Sequence, residues 1–272
     1  MKKKNRKIII IILVIVLIIA ITLFLLFGFK KFNSTVDNDN LEEKEEEIIS
    51  SKLTDEEVNT LLDKIKIYDN YFITLVGNKK PIDMTDDEKF LFYMKNNYQK
   101  FNKGVSSKEI ESYLKEYFGN SITYTPITAY LCPIDNLPLI VYDKATDLYK
   151  ADYSNHGHDG DAISRIYSYY IDGSKETNSK TTYKIRVRKA FSNYVTVGLT
   201  TRFYGNYNDA INNRNEIFDL YKIYGDENMD NEELAKRVKT QYEKYKGMFN
   251  IYTYIFETDN NIENSYLISL TK

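Results

Sequence analysis

The sequence predicts an α+β fold carried behind an N-terminal transmembrane helix, with helices packed on a curved antiparallel sheet. Three observations predict it. Ile8 to Phe29 reads IIIIILVIVLIIAITLFLLFGF, without a single charge. Residues 53–120 hold three helix-start signals in succession. From Ser121 onward, period-2 runs of β-branched and aromatic residues take over, divided by turn residues.

About twenty apolar residues in a helix rise roughly 30 Å, the thickness of a bilayer's hydrocarbon core. The run is apolar all round, which does not suit a core helix with one wet face. A cleaved signal peptide is the competing reading. Lys2, Lys3, Lys4, Arg6 and Lys7 suit both. The run exceeds the roughly 7–15 residues of a signal-peptide core, and no A-x-A-like cleavage site follows. The only cysteine is Cys132, so no lipoprotein cysteine follows the run either. A retained anchor is the favoured reading. Five cations precede the span, and Lys30 and Lys31 follow it. The positive-inside bias then predicts a single-pass protein of the plasma membrane, N-terminus cytoplasmic and C-terminal domain outside.

Three segments are expected. Residues 1–31 form a cytoplasmic basic tip and the anchor. Residues 32–52 form an acidic flexible linker. Within it Asn33 to Glu47 carries seven acids against Lys44 alone, too few apolar groups to offset ordering entropy. Residues 53–272 form an extracytoplasmic α+β domain, helical over 53–120 and mainly β over 121–272. Whether these two parts share one core stays open at this point.

Thr54 with Glu57 predicts a capping box, with Leu53 and Val58 as its hydrophobic staple. Val58, Leu61, Leu62, Ile65, Tyr68, Phe72 and Leu75 follow at helical spacing, and Gly77-Asn78 closes the helix. Thr85 with Glu88 opens a second helix carrying Phe90, Leu91, Met94 and Tyr98. Ser106 with Glu109 opens a third, stapled by Val105 and Ile110 and ended by Gly119. Strands are expected near 122–131, 138–142, 147–153, 162–171, 181–191 and 193–204, with Asp143-Lys144 and Asp172-Gly173 in turns. In the 181–191 run, Tyr183, Ile185, Val187 and Phe191 share one parity and Lys184, Arg186 and Arg188 the other, as in a sheet with one buried and one wet face. Residues 208–228 read as loop or frayed helix, then a strand at IFDLYKIYG. Asp230 with Glu233 starts a further helix, stapled by Met229 and Leu234 and stopped by Gly247. A hairpin closes the chain: Tyr252, Tyr254 and Phe256 alternate in its first strand, Asp259-Asn260-Asn261 turns, and Tyr266, Ile268 and Leu270 alternate in its second. This element order resembles that of the nuclear-transport-factor-like class of cone-shaped folds, with no motif accompanying it.

Charge narrows the function. The chain of 272 residues has net charge −2, yet seven of its 37 basic residues precede Phe32. The remainder carries 30 basic against 39 acidic residues, a balance of −9. An acidic exterior portion argues against nucleic acid as partner. One cysteine rules out an intrachain disulfide framework.

Ser154 to Asp161, SNHGHDGD, holds both histidines of the chain. His156, His158, Asp159 and Asp161 could ligate a divalent metal. Gly157 and Gly160 equally suit a tight loop, and further ligands at a recognisable spacing are missing. Cys132, in YLCPIDN, could act as a nucleophile with His156 or His158; a buried structural thiol is the plainer reading. Ser112 and Lys115 make an S-x-x-K spacing without its companion elements. Tyr167, Tyr169 and Tyr170, with Tyr252 and Tyr254, could offer aromatic faces to a ligand, or could simply fill half-buried sheet positions. The sequence therefore favours a non-enzymatic module at the cell envelope, binding or sensing a peptide, glycan or protein partner, without a cofactor. The alternative is a membrane-anchored envelope hydrolase or transferase using Cys132 with His156 or His158, or a metal at His156–Asp161.

Overall fold

In extended backbone ahead of α1 (Asp55–Asp69), the Thr54 hydroxyl accepts from the Glu57 N–H at 3.2 Å. The Glu57 carboxylate accepts from the Thr54 N–H at 2.8 Å, completing the box. Thr85 and Glu88 repeat this ahead of α2 (Asp86–Asn97). The third helix departs from expectation. Ser106 accepts from the Glu109 N–H ahead of α3 (Ser107–Phe118), but the Glu109 carboxylate turns away. It takes the Tyr93 hydroxyl at 2.7 Å and the Lys100 ammonium at 2.9 Å instead. A charge-assisted pair outweighs one exposed backbone N–H there. α1 also stops earlier than its stripe suggests, and a 3₁₀ turn follows at Phe72–Leu75. Tyr71, Phe72 and Ile73 are all buried. Three consecutive inward positions exceed what one helical face can hold.

The computed structural model describes residues 49–75, 79–131, 136–152, 165–195, 200–221 and 231–272. The anchor run Ile8–Phe29, the Gly77-Asn78 stop, and the Asp230 and Met229 signals lie outside them. No helix among the described residues is long and apolar enough to cross a membrane.

Two antiparallel sheets replace the single curved sheet. The smaller runs β2 (Val105–Ser106), β5 (Leu148–Ala151), β4 (Pro138–Asp143), β3 (Ala129–Leu131). Its position follows from Val105, which pairs with Tyr149 just before α3 begins. Tyr149 then packs on Phe90 of α2 at 4.9 Å between ring centroids, so this sheet belongs to the helical layer. Only Ala129–Leu131 of the expected 122–131 strand pairs.

The larger sheet has seven strands. β1 (Ile49–Lys52), β6 (Arg165–Thr177), β7 (Thr181–Val195), β10 (Ile251–Thr258) and β11 (Tyr266–Thr271) run side by side. β8 (Thr200–Tyr204) and β9 (Phe218–Tyr221) extend from the far end of β7. Four residues of the expected flexible linker thus form an edge strand, pairing Ile49–Lys52 with Thr177–Ser174. Asp172 and Gly173 are not in a turn. They lie inside β6 at a register shift after Tyr170, and the chain reverses at 178–180. Gly173 sits where a Cβ would come within 2.4 Å of Leu53 and 2.8 Å of the Lys184 carbonyl oxygen. Close approach of another segment, rather than a turn, explains that glycine. The ambiguous 208–228 region yields α4 (Tyr207–Ile211) and β9. α5 (Asn231–Tyr245) follows, and a 3₁₀ turn at Lys246–Met248 ends it.

The helical and β parts share one core. Tyr68 of α1 meets Phe92 and Phe118 of the other helices and Phe256 of β10, all within 6 Å between centroids. Ile140 and Tyr149 of the smaller sheet belong to the same cluster. The opposite face of β7 is wet only in part. Lys184 is exposed there, but Ala190 is buried beneath a second cluster formed with Phe203, Phe218, Val238, Tyr242 and Phe249. α5 covers that end of the sheet.

Candidate functional site

Cys132, His156, His158, Asp159 and Asp161 lie outside the described residues. Among the described residues, no group of three or more His, Cys, Asp or Glu side chains could hold a metal ion. The tyrosines do not form one platform. Tyr252 and Tyr254 are sealed in the main core, Tyr169 stacks on Tyr242 of α5 at 3.6 Å, and Tyr170 is exposed. Lys115 of the S-x-x-K pair is engaged with Glu111 at 2.6 Å on the same helix.

Two features stand out instead. The first is an open groove of about 1110 Å³ where the C-terminal end of α3 meets the β10–β11 hairpin. Gly119 lines it. φ is +82° there, and a Cβ would lie 2.8 Å from the Tyr266 ring, so the ring rests on bare backbone. The Tyr266 hydroxyl donates to Glu257 at 2.5 Å, and the Lys180 ammonium reaches the same carboxylate at 2.6 Å. The hydrogen bond from Lys180 holds the Glu257 carboxyl below its ordinary value, and Lys180 is held up in turn. Lys64 donates to the Glu263 and Ser265 carbonyl oxygens at 2.7 and 2.9 Å, fixing the short 3₁₀ turn at Ile262–Asn264. Burial pushes the Lys64 ammonium down, with Glu116 and Glu263 opposing. Lys80, Pro81 and Ile82 also line the groove. The groove presents charges of both signs beside apolar Ile255 and Ile268, on strands and helix ends.

The second feature is buried. Lys189 sits on the inward parity of β7, between Val187 and Phe191, and its side chain is fully enclosed. Its Nζ lies 2.5 and 2.7 Å from the two oxygens of Asp69 and 2.8 Å from Ser168 Oγ. Tyr254 donates its hydroxyl to Asp69 Oδ1 at 2.9 Å, and Ser168 reaches Asp69 Oδ2 at 3.2 Å. The Nζ also stands 5.1 Å from the Tyr254 ring centroid. Burial pushes the Lys189 ammonium down, with the Asp69 charge opposing it. Burial likewise pushes the Tyr254 hydroxyl well up, so it stays a donor. Sequence reasoning missed this cluster although a signal was present. Asp69 falls four residues after Ile65 on the stripe of α1, and Lys189 falls between two inward residues of β7. Opposite charges at inward positions of two different elements call for one another, because neither can be buried alone.

Comparison with protein-family models, with curated proteins and with solved structures finds no match. The resemblance to the nuclear-transport-factor-like class therefore rests on element order alone.

Proposed function

We propose that this chain is a single-pass membrane protein whose α+β domain stands outside the cell membrane and binds a peptide segment of an envelope partner. The groove beside Gly119 and Tyr266 carries this reading. Its volume of about 1110 Å³ is at the upper end of ligand pockets, and its lining offers lysines and carboxylates beside apolar side chains. Such a lining suits a peptide bearing both charges, recognised by complementary ion pairs around apolar contacts. The charge-free run at Ile8–Phe29 supports the anchor, and the cations before it support the orientation.

Two measurements test the proposal. Protease added to intact cells should degrade the domain; full protection of it would remove the outward orientation. Hydrogen exchange on the full chain in detergent, with and without short peptides carrying both charges, tests the groove. Slowed exchange over 115–121 and 255–269 is the expected result. Unchanged exchange there across the peptide set would remove the groove as the binding site.

A further inference from the structure

We propose that Lys189 and Asp69 are the two ends of an intramolecular amide cross-link, formed by condensation of the Nζ amine with the Cγ carboxyl and release of one water. The inference begins with distance. Nζ lies within 2.7 Å of both carboxylate oxygens. With C–O bonds of about 1.23 Å, the carboxyl carbon is then within about 3 Å of the nitrogen. That is at the near edge of the roughly 3–3.5 Å at which suitably aligned groups react.

Enclosure supplies the second argument. Lys189 is wholly buried and Asp69 is nearly so. An ammonium and a carboxylate without water are costly, and moving one proton between them yields a neutral amine and a carboxylic acid. Those are the nucleophile and electrophile of amide formation. Neither side chain can retreat to solvent, because α1 and β7 hold both backbones.

Ser168 and Tyr254 supply the proton chemistry. Ser168 Oγ accepts from Lys189 Nζ at 2.8 Å and donates to Asp69 Oδ2 at 3.2 Å. Nζ attacks Cγ and the N–C bond forms. The proton that nitrogen loses passes through Ser168 to Oδ2, the Cγ–Oδ2 bond breaks, and Oδ2 leaves as water. Tyr254 donates to Oδ1, which becomes the amide oxygen, and steadies the charge it gathers. An amine and a carboxylic acid thus become a secondary amide and water, with no oxidant or other reactant. Ser168 is only half-buried, which gives the water a way out. The link spans 120 residues of sequence and joins the helical part to the large sheet. It closes a long loop, as a disulfide would, in a chain whose one cysteine cannot make an internal one.

The test is mass spectrometry of the full chain, extracted in detergent, denatured and digested. The peptide holding Asp69 should appear joined to the peptide holding Lys189, lighter than their sum by one water. Two linear peptides at full mass would overturn the cross-link, whatever any variant does. Ser168→Ala should slow its formation on the order of 100-fold, the usual scale for a positioned proton carrier, while the circular dichroism spectrum is unchanged. Formation at the unaltered rate would remove Ser168 from the reaction.

Discussion

The two faces of β7 are held in different ways. On one, Tyr183, Ile185, Val187 and Phe191 meet three helices and the smaller sheet in a continuous aromatic core. On the other, Ala190 meets β8, β9 and α5 in a small cluster. Val238 and Tyr242 are the buried residues of α5 among its described side chains, and its flanking Lys236, Arg237, Lys239 and Thr240 are exposed. Among its described side chains α5 is held by Val238, Tyr242 and the half-buried Tyr245, whereas α1 to α3 are locked by rings contacting several others. Local stability should follow that difference, with α5 opening well before the main core.

The largest effect should come from Lys189→Met, which removes the proposed link and leaves the Asp69 carboxyl buried without its partner. A loss of about 3–5 kcal/mol is expected in denaturant unfolding. A loss below about 1 kcal/mol would mean that Asp69 finds water, and that this face is less closed than described. Next, Val238→Ala should cost about 1–2 kcal/mol, and the cost should be local. Hydrogen exchange should quicken across α5 while the amides of Ile185 and Val187 keep their protection. Equal quickening at both places would make the two clusters one cooperative unit. Smaller again, Thr85→Ala should cost about 1 kcal/mol by removing the hydroxyl that accepts from the Glu88 N–H. Ser106→Ala removes the equivalent bond to the Glu109 N–H and should cost about as much.

Acid should act through the carboxyls that folding holds down. The Tyr93 hydroxyl holds the Glu109 carboxyl below its ordinary 4.5, and Lys180 does the same for Glu257. A carboxyl lowered on folding stabilises the fold above the unfolded value and loses that stabilisation as pH falls through the folded one. Unfolding measured from pH 6 downward should therefore weaken only below pH 4.5, by well under 1 kcal/mol for each group after solvent screening. Smallest of all is the expected response to zinc, calcium or manganese, with no change in the melting temperature of the full chain. A metal-dependent rise lost in the His156→Ala/His158→Ala double variant would restore the metal reading of SNHGHDGD, since only a ligand that prefers the folded state raises the midpoint.

How much of this was legible depends on how local each signal is. Thr54, Thr85 and Ser106 marked three helix starts because a cap acts within four residues. Glu109 broke the pattern because Tyr93 and Lys100, brought near by folding, compete for its carboxylate. Asp172-Gly173 read as a turn because turn residues and bulge residues are the same types; only the approach of Leu53 distinguishes them. Val105 pairing with Tyr149 split the β part into two sheets, a contact no local pattern announces. The groove joins the end of α3 to a hairpin more than a hundred residues later, so no contiguous motif encodes it. The Lys189–Asp69 cluster was legible in principle, from the parity of one strand and the stripe of one helix read together.

The chain enters the described domain through β1, and that has a mechanical consequence. Tension carried by the preceding residues arrives at Ile49, whose four-residue strand is held by its ladder to Thr177–Ser174 and buries little of itself. Beneath that ladder, the Lys175–Glu57 contact at 2.7 Å clamps β6 to the first turn of α1. A pull therefore meets a sacrificial strip first and a clamp second. Peeling the strip would free about 13 Å of chain, at roughly 3.3 Å per residue, before any load reached the core.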